Sequence, residues 1–250
     1  MSANVESMFA VKIPTWHGEE NLLATAPKTS KEALIAAGMD WTVRAEPVEV
    51  AGKIVEGRVG IVRDTDDSCL GIVGDGYRVV QNAECAAFFD EALATGGLTY
   101  ETAGSLNGGR TVWLMALLGE TEVIEGDTLK TYVYISNGHD GSRSVRAATT
   151  DIRVVCANTL AMADRSGGVI FSARHIAGVK DALKVATENF TRVVEKRVET
   201  AEKYRALAKA RISETALDGY LRAVFARAKK DPETGEKRPD VAEALVASAV

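Results

Sequence analysis

Apolar residues recur along the chain with two different periods. In some segments they recur every two residues, and in others every three to four. Alternating or continuous apolar runs bounded by turn residues predict strands over most of residues 41–160. WTVRAEPVE and KIVEGRVGIVRD, joined at Ala51-Gly52, predict one hairpin. LTYETAGSL and RTVWLMALLG predict another around Asn107-Gly108-Gly109. The two-residue period therefore predicts an antiparallel sheet.

The longer period predicts helices. Thr29 to Glu32 reads as a capping box ahead of KEALIAAG, and Asn82 caps AECAAFFDEALATGG. From Val179, apolar residues at three- and four-residue steps predict an amphipathic helix of about thirty residues. A helical hairpin follows. Its last helix is still apolar in pattern at Val250, so we expect the natural protein to continue.

Together these elements predict an α+β fold, because strands are grouped before helices without a βαβ rhythm. We expect an antiparallel β-sheet with a central helix, followed by a helical C-terminal region that includes one long amphipathic helix. Residues 1–178 would form the α+β core domain, and residues 179–250 the helical region.

The composition is ordinary for a globular protein, at 46% hydrophobic and 26% charged residues. The N-terminus lacks the features of a signal peptide, and no stretch approaches the ~20 apolar residues that span a bilayer. Cys69, Cys85 and Cys156 are widely spaced among apolar neighbours, which predicts reduced, buried thiols. We therefore expect a soluble cytoplasmic protein with no membrane contact.

Charge is unevenly distributed along the chain. Residues 1–129 carry 9 Lys and Arg against 20 Asp and Glu, whereas residues 130–250 carry 21 against 15. Such asymmetry indicates an anionic partner for the basic half. The alternative is a long solvated helix that is simply rich in cations.

The basic residues between 130 and 184 are a stronger indication of an anionic partner. This range contains eight Lys and Arg and four Asp. Guanidinium groups suit phosphate, and Trp113, Tyr132 and Tyr134 on neighbouring strands could offer faces for base stacking. Alternatively, the aromatic residues are core and the arginines pair with aspartates. The candidate nucleic-acid-binding residues are Lys130, Arg143, Arg146, Arg153, Arg165, Arg174 and His175.

The turn SNGHDGS separates two predicted strands. His139 beside Asp140 is similar to an acid–base pair, but sequence neighbours point apart on a strand, and no hydrolase or zinc signature accompanies them. The Gly71–Gly76 stretch also lacks the motif of a phosphate loop. These observations favour a hairpin tip, no metal or nucleotide cofactor, and a protein that is not an enzyme. The predicted turn-shaping residues are Asn137, Gly138, His139, Asp140 and Gly141.

Several strings, in order, resemble the phage/plasmid-like family that carries domain of unknown function 932. They are FAVKIPTWHG, GDGYRVVQNAECAAFFDEAL, GGRTVWLMALLG, YISNGHDGSRSVRAATTDIRVVCANTLAMA and ARHIAGVKDAL, within residues 9–190. The resemblance implies a setting in bacteriophage or plasmid DNA metabolism in a bacterial host cell. The order of elements is also similar to that of phage single-strand annealing proteins, which form rings or filaments. No residue-level motif of those proteins is matched here.

The sequence and the resemblance together lead to a functional hypothesis. We expect ATP-independent binding of single-stranded DNA by a homo-oligomer, with strand annealing in recombination as an extension. Two alternatives stay open: a nucleic-acid-processing enzyme that uses His139 and Asp140, and a non-catalytic phage protein that binds a host factor.

Overall fold

A computed structural model of the chain describes residues 4–18, 20–90, 97–124, 126–166, 168–188, 206, 209 and 213–225. The chain divides into two compact units, Met1–Glu202 and Lys203–Val250. Both sheets lie in the first unit, and one described helix lies in the second. The predicted division into residues 1–178 and 179–250 stays a prediction.

Ten described strands form two sheets. The larger has seven strands in the order β10-β9-β8-β7-β6-β1-β2, and the smaller has the order β3-β4-β5. Neighbours are antiparallel except β1 and β2, which are parallel. The predicted β3–β4 and β6–β7 hairpins are confirmed. The strands are β1 (Val5–Val11), β2 (Asn21–Leu23), β3 (Val43–Val50), β4 (Lys53–Arg63), β5 (Cys69–Gly74), β6 (Thr99–Leu106), β7 (Thr111–Ile124), β8 (Asp127–Gly138), β9 (Val145–Thr150) and β10 (Gly168–Ala173).

The described helices are short. Thr29 caps the first as predicted, since its side chain accepts a hydrogen bond from the backbone N–H of Glu32. The helices are α1 (Ser30–Ala36), α2 (Asn82–Ala86), α3 (Ala157–Ser166), α4 (Val179–Glu188) and α5 (Glu214–Phe225), with a 3₁₀ turn at Ala87–Phe89.

The central strands of the larger sheet are buried on both faces, which explains their continuous apolar runs. On one face, Val133 and Ile135 of β8 join a core formed with α1, α2, α4 and the smaller sheet. On the other, Tyr132 and Tyr134 pack in a second cluster with Leu160 of α3. Every residue of β8 from 132 to 138 is consequently buried.

The predicted fold class is wrong. The protein is mostly β: the seven-stranded sheet is mixed, a second sheet is present, and none of the described helices exceeds 12 residues. The expected central helix is described only as α2 and its 3₁₀ turn. The predicted long amphipathic helix is described over α4, and its continuation through residues 189–205 lies outside the described residues.

Two further expectations concern membranes and thiols. No helix among the described residues is long and apolar enough to cross a membrane. Cys85 and Cys156 are buried free thiols, as predicted, but Cys69 is exposed. Cys69 begins the short strand β5 of the smaller sheet, which leaves much of its surface to solvent.

Candidate functional site

The tip of the β8–β9 hairpin, residues 139–144, is held by the segment that follows β5. The Tyr77 hydroxyl donates to the carbonyl oxygen of Gly138 at 2.6 Å, and Asn137 Nδ2 donates to that of Val80 at 2.9 Å. On the far side, the His139 amide donates to the carbonyl oxygen of Arg110 at 2.8 Å. These bonds fix the path of the chain into the tip.

Two glycines allow this close approach. A Cβ at Gly71 of β5 would lie 2.5 Å from the Cα of Asp140, so only glycine lets β5 reach the tip backbone. Gly141 has a φ of +79°, which L side chains rarely adopt, and a Cβ there would lie 2.9 Å from Val73. The smaller sheet is therefore in direct contact with the tip.

His139 and Asp140 do not form an acid–base pair. His139 is buried. The amide nitrogen of Asn82 donates to the carbonyl oxygen of Met39, so the Asn82 atom that faces His139 is the acceptor Oδ1. His139 Nε2 therefore donates to Asn82 Oδ1, at 3.0 Å. Burial lowers the pKa of His139 to about 4. Asp140 instead accepts from the backbone N–H and hydroxyl of Ser142. Both residues thus hold the turn in shape.

Beside the tip lies a solvent-accessible cavity of about 590 Å³, here called the tip pocket. It forms where the tip meets the chain leaving β10, and its wall is rich in hydrogen-bond donors. Arg174 is exposed on this wall, and no described carboxylate lies within ion-pair distance of it. The wall consists of Tyr77, Gly141, Ser142, Arg143, Ser144, Ser172, Arg174, His175 and Ile176.

Arg143 is shared between the pocket and a carboxylate. Its Nη1 lies 2.7 Å from Asp164 Oδ2 on α3 and 3.3 Å from the Ser136 hydroxyl. Arg146 also reaches Asp164, at 3.5 Å to Oδ1 and 2.9 Å to the backbone oxygen. One carboxylate therefore serves two candidate arginines, and Arg143 lines the pocket only partly neutralised.

The other candidate cations lie elsewhere. Arg153 Nε binds Glu101 Oε1 at 2.7 Å, and Lys130 Nζ binds Glu120 Oε1 at 3.1 Å. Arg165 is exposed near the end of α3 and does not line the pocket. Of the seven predicted residues, the structure therefore gathers Arg143, Arg174 and His175 in one wall.

The aromatic residues predicted to stack on bases are core instead. Trp113, Tyr132 and Tyr134 are at most 4% exposed, and the Tyr134 hydroxyl donates to Asp164 Oδ1. Burial raises the pKa of Tyr134 to about 12, so it keeps its proton at neutral pH.

Sequence reasoning missed half of the pocket. Ser172 lies on β10, a strand that the sequence did not identify, and its hydroxyl lies 3.1 Å from that of Ser144. The alternation of Val169 and Phe171 was the available signal. Tyr77 lies in a stretch that the sequence predicted only as a strand, so it was not identified as a site residue. In the structure its ring stacks on that of His175, at 4.5 Å between centroids.

No group of three or more His, Cys, Asp or Glu side chains is placed to hold a metal ion within the described part of the chain. Comparison with curated proteins and with solved structures finds no match. Residues 69–247 match a family model described as a domain of unknown function (DUF932). This range covers β5, the segment that holds the tip, the tip itself and β10. The chain belongs to the DUF932 family.

Proposed function

We propose that this protein binds single-stranded nucleic acid, with a backbone phosphate held in the tip pocket by Arg174 and Arg143. The observation that carries the proposal is the exposed guanidinium of Arg174, with no described carboxylate beside it, in a cavity that Arg143 also lines. A guanidinium fork matches the oxygens of phosphate.

The remaining wall suits the same ligand. Ser142, Ser144 and Ser172 add hydroxyl groups, which commonly contact phosphate and sugar oxygens in nucleic-acid complexes. The volume of about 590 Å³ falls within the range of roughly 300–1,000 Å³ typical of ligand sites. The cavity opens to solvent, so its wall is accessible to a ligand from outside. Phosphate contacts of this kind need no ATP.

The biological setting is part of the proposal. The resemblance of the chain to phage and plasmid proteins supports a role in phage or plasmid DNA metabolism, in the cytoplasm of a bacterial cell, with strand annealing as its extension. DNA is the polymer that this setting favours. We also propose that the protein acts as a homo-oligomer, which light scattering with and without an oligonucleotide would test.

The central test is a fluorescence anisotropy titration of a labelled single-stranded oligonucleotide at two salt concentrations. We expect Arg174→Ala to weaken binding about tenfold, the effect of losing roughly 1.4 kcal/mol of charge-assisted contact. The slope of log affinity against log salt should flatten by about 0.7 for the lost phosphate contact.

Arg58→Ala is the matched control, because Arg58 is also an exposed arginine, lies on the smaller sheet, and its removal changes net charge by the same amount. It should leave both affinity and slope close to those of the wild-type protein. The proposal fails if the wild-type protein does not bind, or if the two variants behave alike.

A further inference from the structure

Of the three tryptophans in the chain, Trp16 is the one that is open to solvent. It is 69% exposed, whereas Trp41 and Trp113 are buried. A tryptophan is usually well buried, because its ring carries a large apolar surface. The indole of Trp16 contacts the ring of His17 edge to face, at 5.1 Å between centroids, and most of its own surface stays accessible. A flat aromatic surface is therefore available to a ligand.

Residues 12–18, here called the Trp16 loop, are anchored to the rest of the protein. His17 Nε2 lies 2.9 Å from the backbone oxygen of Val155 and donates to it, since a carbonyl oxygen only accepts. The backbone N–H that opens the loop donates to the carbonyl oxygen of Leu23 at 2.8 Å. Neither bond involves Arg153, so the loop stays anchored without that side chain. The indole is thus presented on a preorganised segment.

Helix α3 connects the Trp16 loop with the tip pocket. Val155, which binds His17, lies two residues before α3. Asp164, near the other end of the helix, binds Arg143 of the pocket wall at 2.7 Å. From Ala157 to Asp164 the helix rises about 10 Å, roughly the length of three stacked nucleotides at ~3.4 Å each. Sites for single strands commonly take roughly 4–16 nucleotides, so one strand is long enough to reach both places.

The exposed side of α3 does not oppose a polyanion. Its described exposed residues are Asn158, Ala161, Met162 and Arg165, which include one cation and no carboxylate. They are spaced three or four residues apart and therefore lie on one side of the helix. A phosphate backbone can follow this side without meeting negative charge.

The surroundings of the indole favour a base over a phosphate. The carboxylate of Glu20 lies next to the Trp16 loop, where its Oε1 accepts from the backbone N–H of Thr15 at 2.8 Å. A negative charge at this place repels phosphate but does not oppose the stacking of a neutral base. Stacking on an aromatic side chain also needs no particular sequence, because every base has a π-face.

We infer that Trp16 stacks on a base of the single strand whose phosphate occupies the tip pocket, so that the strand lies along α3. This inference rests on the proposed function. It adds a contact of different chemistry, since the pocket binds charge and the indole binds an uncharged ring. The two contacts consequently differ in their dependence on salt.

The first test is the anisotropy titration with labelled oligo(dT) at two salt concentrations. We expect Trp16→Ala to weaken binding about tenfold, which lies within the range for one stacked base. The slope of log affinity against log salt should stay that of the wild-type protein, because no phosphate contact is lost. Arg174→Ala, in contrast, should flatten it.

Two further variants assign the effect to the aromatic ring. Trp16→Phe keeps a face for stacking and should retain most of the affinity. Ile13→Ala is the matched control, because Ile13 is a 50% exposed apolar residue of the same loop, and it should bind as the wild-type protein does. A urea denaturation curve for each variant establishes that it is folded.

Tryptophan fluorescence tests the contact in the unaltered protein. Because Trp41 and Trp113 are buried, added oligo(dT) should quench the emission of Trp16, and this quenching should be absent in Trp16→Phe. Without oligonucleotide, the emission should not depend on protein concentration. A shift to shorter wavelength on concentration would show that a second copy of the chain covers the indole, and it would overturn the inference.

Failure of the inference can be told apart from failure of the proposed function. Wild-type affinity in Trp16→Ala, or an equal loss in Ile13→Ala, overturns the inference and leaves phosphate binding in the tip pocket intact. A flattened salt slope in Trp16→Ala overturns it as well, because the residue then acts on a phosphate contact. Absence of binding by the wild-type protein removes both.

Discussion

Arginines near the two ends of β9 are in opposite states. At the end next to the tip, Arg174 is exposed in a cavity with Arg143 beside it. Beyond the other end, Arg153 is bound by the carboxylate of Glu101, and its Nη2 also donates to the carbonyl oxygen of Ile13 at 2.9 Å. The first arrangement leaves positive charge for a ligand, whereas the second uses it to join strands.

This difference shows that a count of cations along the chain does not locate positive potential. The carboxylate that neutralises Arg153 lies on β6, 52 residues away in sequence. Asp164, which holds Arg143 and Arg146, lies on α3. Only the fold brings these partners to the arginines.

The largest effect concerns His139, the enclosed neighbour of the tip pocket. Its pKa in the folded protein is about 4 against an ordinary 6.5, so the unfolded chain takes up a proton below pH 6.5 that the folded chain does not. Stability should therefore be complete above pH 6.5 and fall by about 3 kcal/mol as pH drops to 4.

Urea denaturation between pH 7 and pH 4 measures this loss. The control is His139→Gln, whose amide can still donate to Asn82 Oδ1 but does not titrate, so its pH profile should be flatter. The lowered pKa of His175 contributes in the same direction, and His175→Asn isolates it. Equal slopes in the wild-type protein and His139→Gln would place the titration elsewhere.

The second prediction tests the closed end of β9. Arg153→Ala should lower the free energy of unfolding by about 2 kcal/mol, because it leaves Glu101 unpaired among buried neighbours. This falls below the loss for a fully buried pair, since both side chains keep some contact with water. Affinity for a single-stranded oligonucleotide should not change. A folded Arg153→Ala protein with weakened binding would break the distinction between the two ends.

The third prediction concerns the carboxylate that binds the arginines at the pocket end of β9. Asp164→Asn removes the carboxylate that binds Arg143 and Arg146, while the amide oxygen can still accept from the Tyr134 hydroxyl. We expect a stability loss of about 1 kcal/mol and a gain of about threefold in oligonucleotide affinity at low salt.

Asp151→Asn is the matched control for this change. Asp151 accepts from the Thr131 hydroxyl beyond the far end of β9, so its substitution removes the same charge away from the pocket. Affinity should rise in Asp164→Asn and stay constant in Asp151→Asn. A rise of equal size in both would mean that net charge alone sets binding.

Local structure was predictable from the sequence where neighbours decide it. The capping residue Thr29 and the β3–β4 hairpin follow from chemistry within a few residues. The parallel pairing of β1 with β2 does not, since it depends on a strand of three residues. The two-residue period of strands cannot place Arg143 and Arg153 either, because both lie outside β9.

Local sequence patterns also indicated only part of the candidate site. A cluster of arginines around a polar turn indicated the region, and Arg143, Arg174 and His175 do meet there. Among the described residues, the lack of a carboxylate beside Arg174 and the bond between His175 and Arg78 depend on segments brought together by folding. No local pattern encodes either feature.

The missing side chain at Gly71 has a consequence for the width of the pocket. Because β5 touches the backbone of Asp140 directly, the smaller sheet acts as a stop that sets how far the loop carrying Ser142 and Arg143 can swing. A displacement of that sheet would therefore move the backbone of Asp140 and the cationic wall beside it. Substitutions far from any ligand, in the β3–β5 sheet, should thereby tune binding without altering a single contact residue.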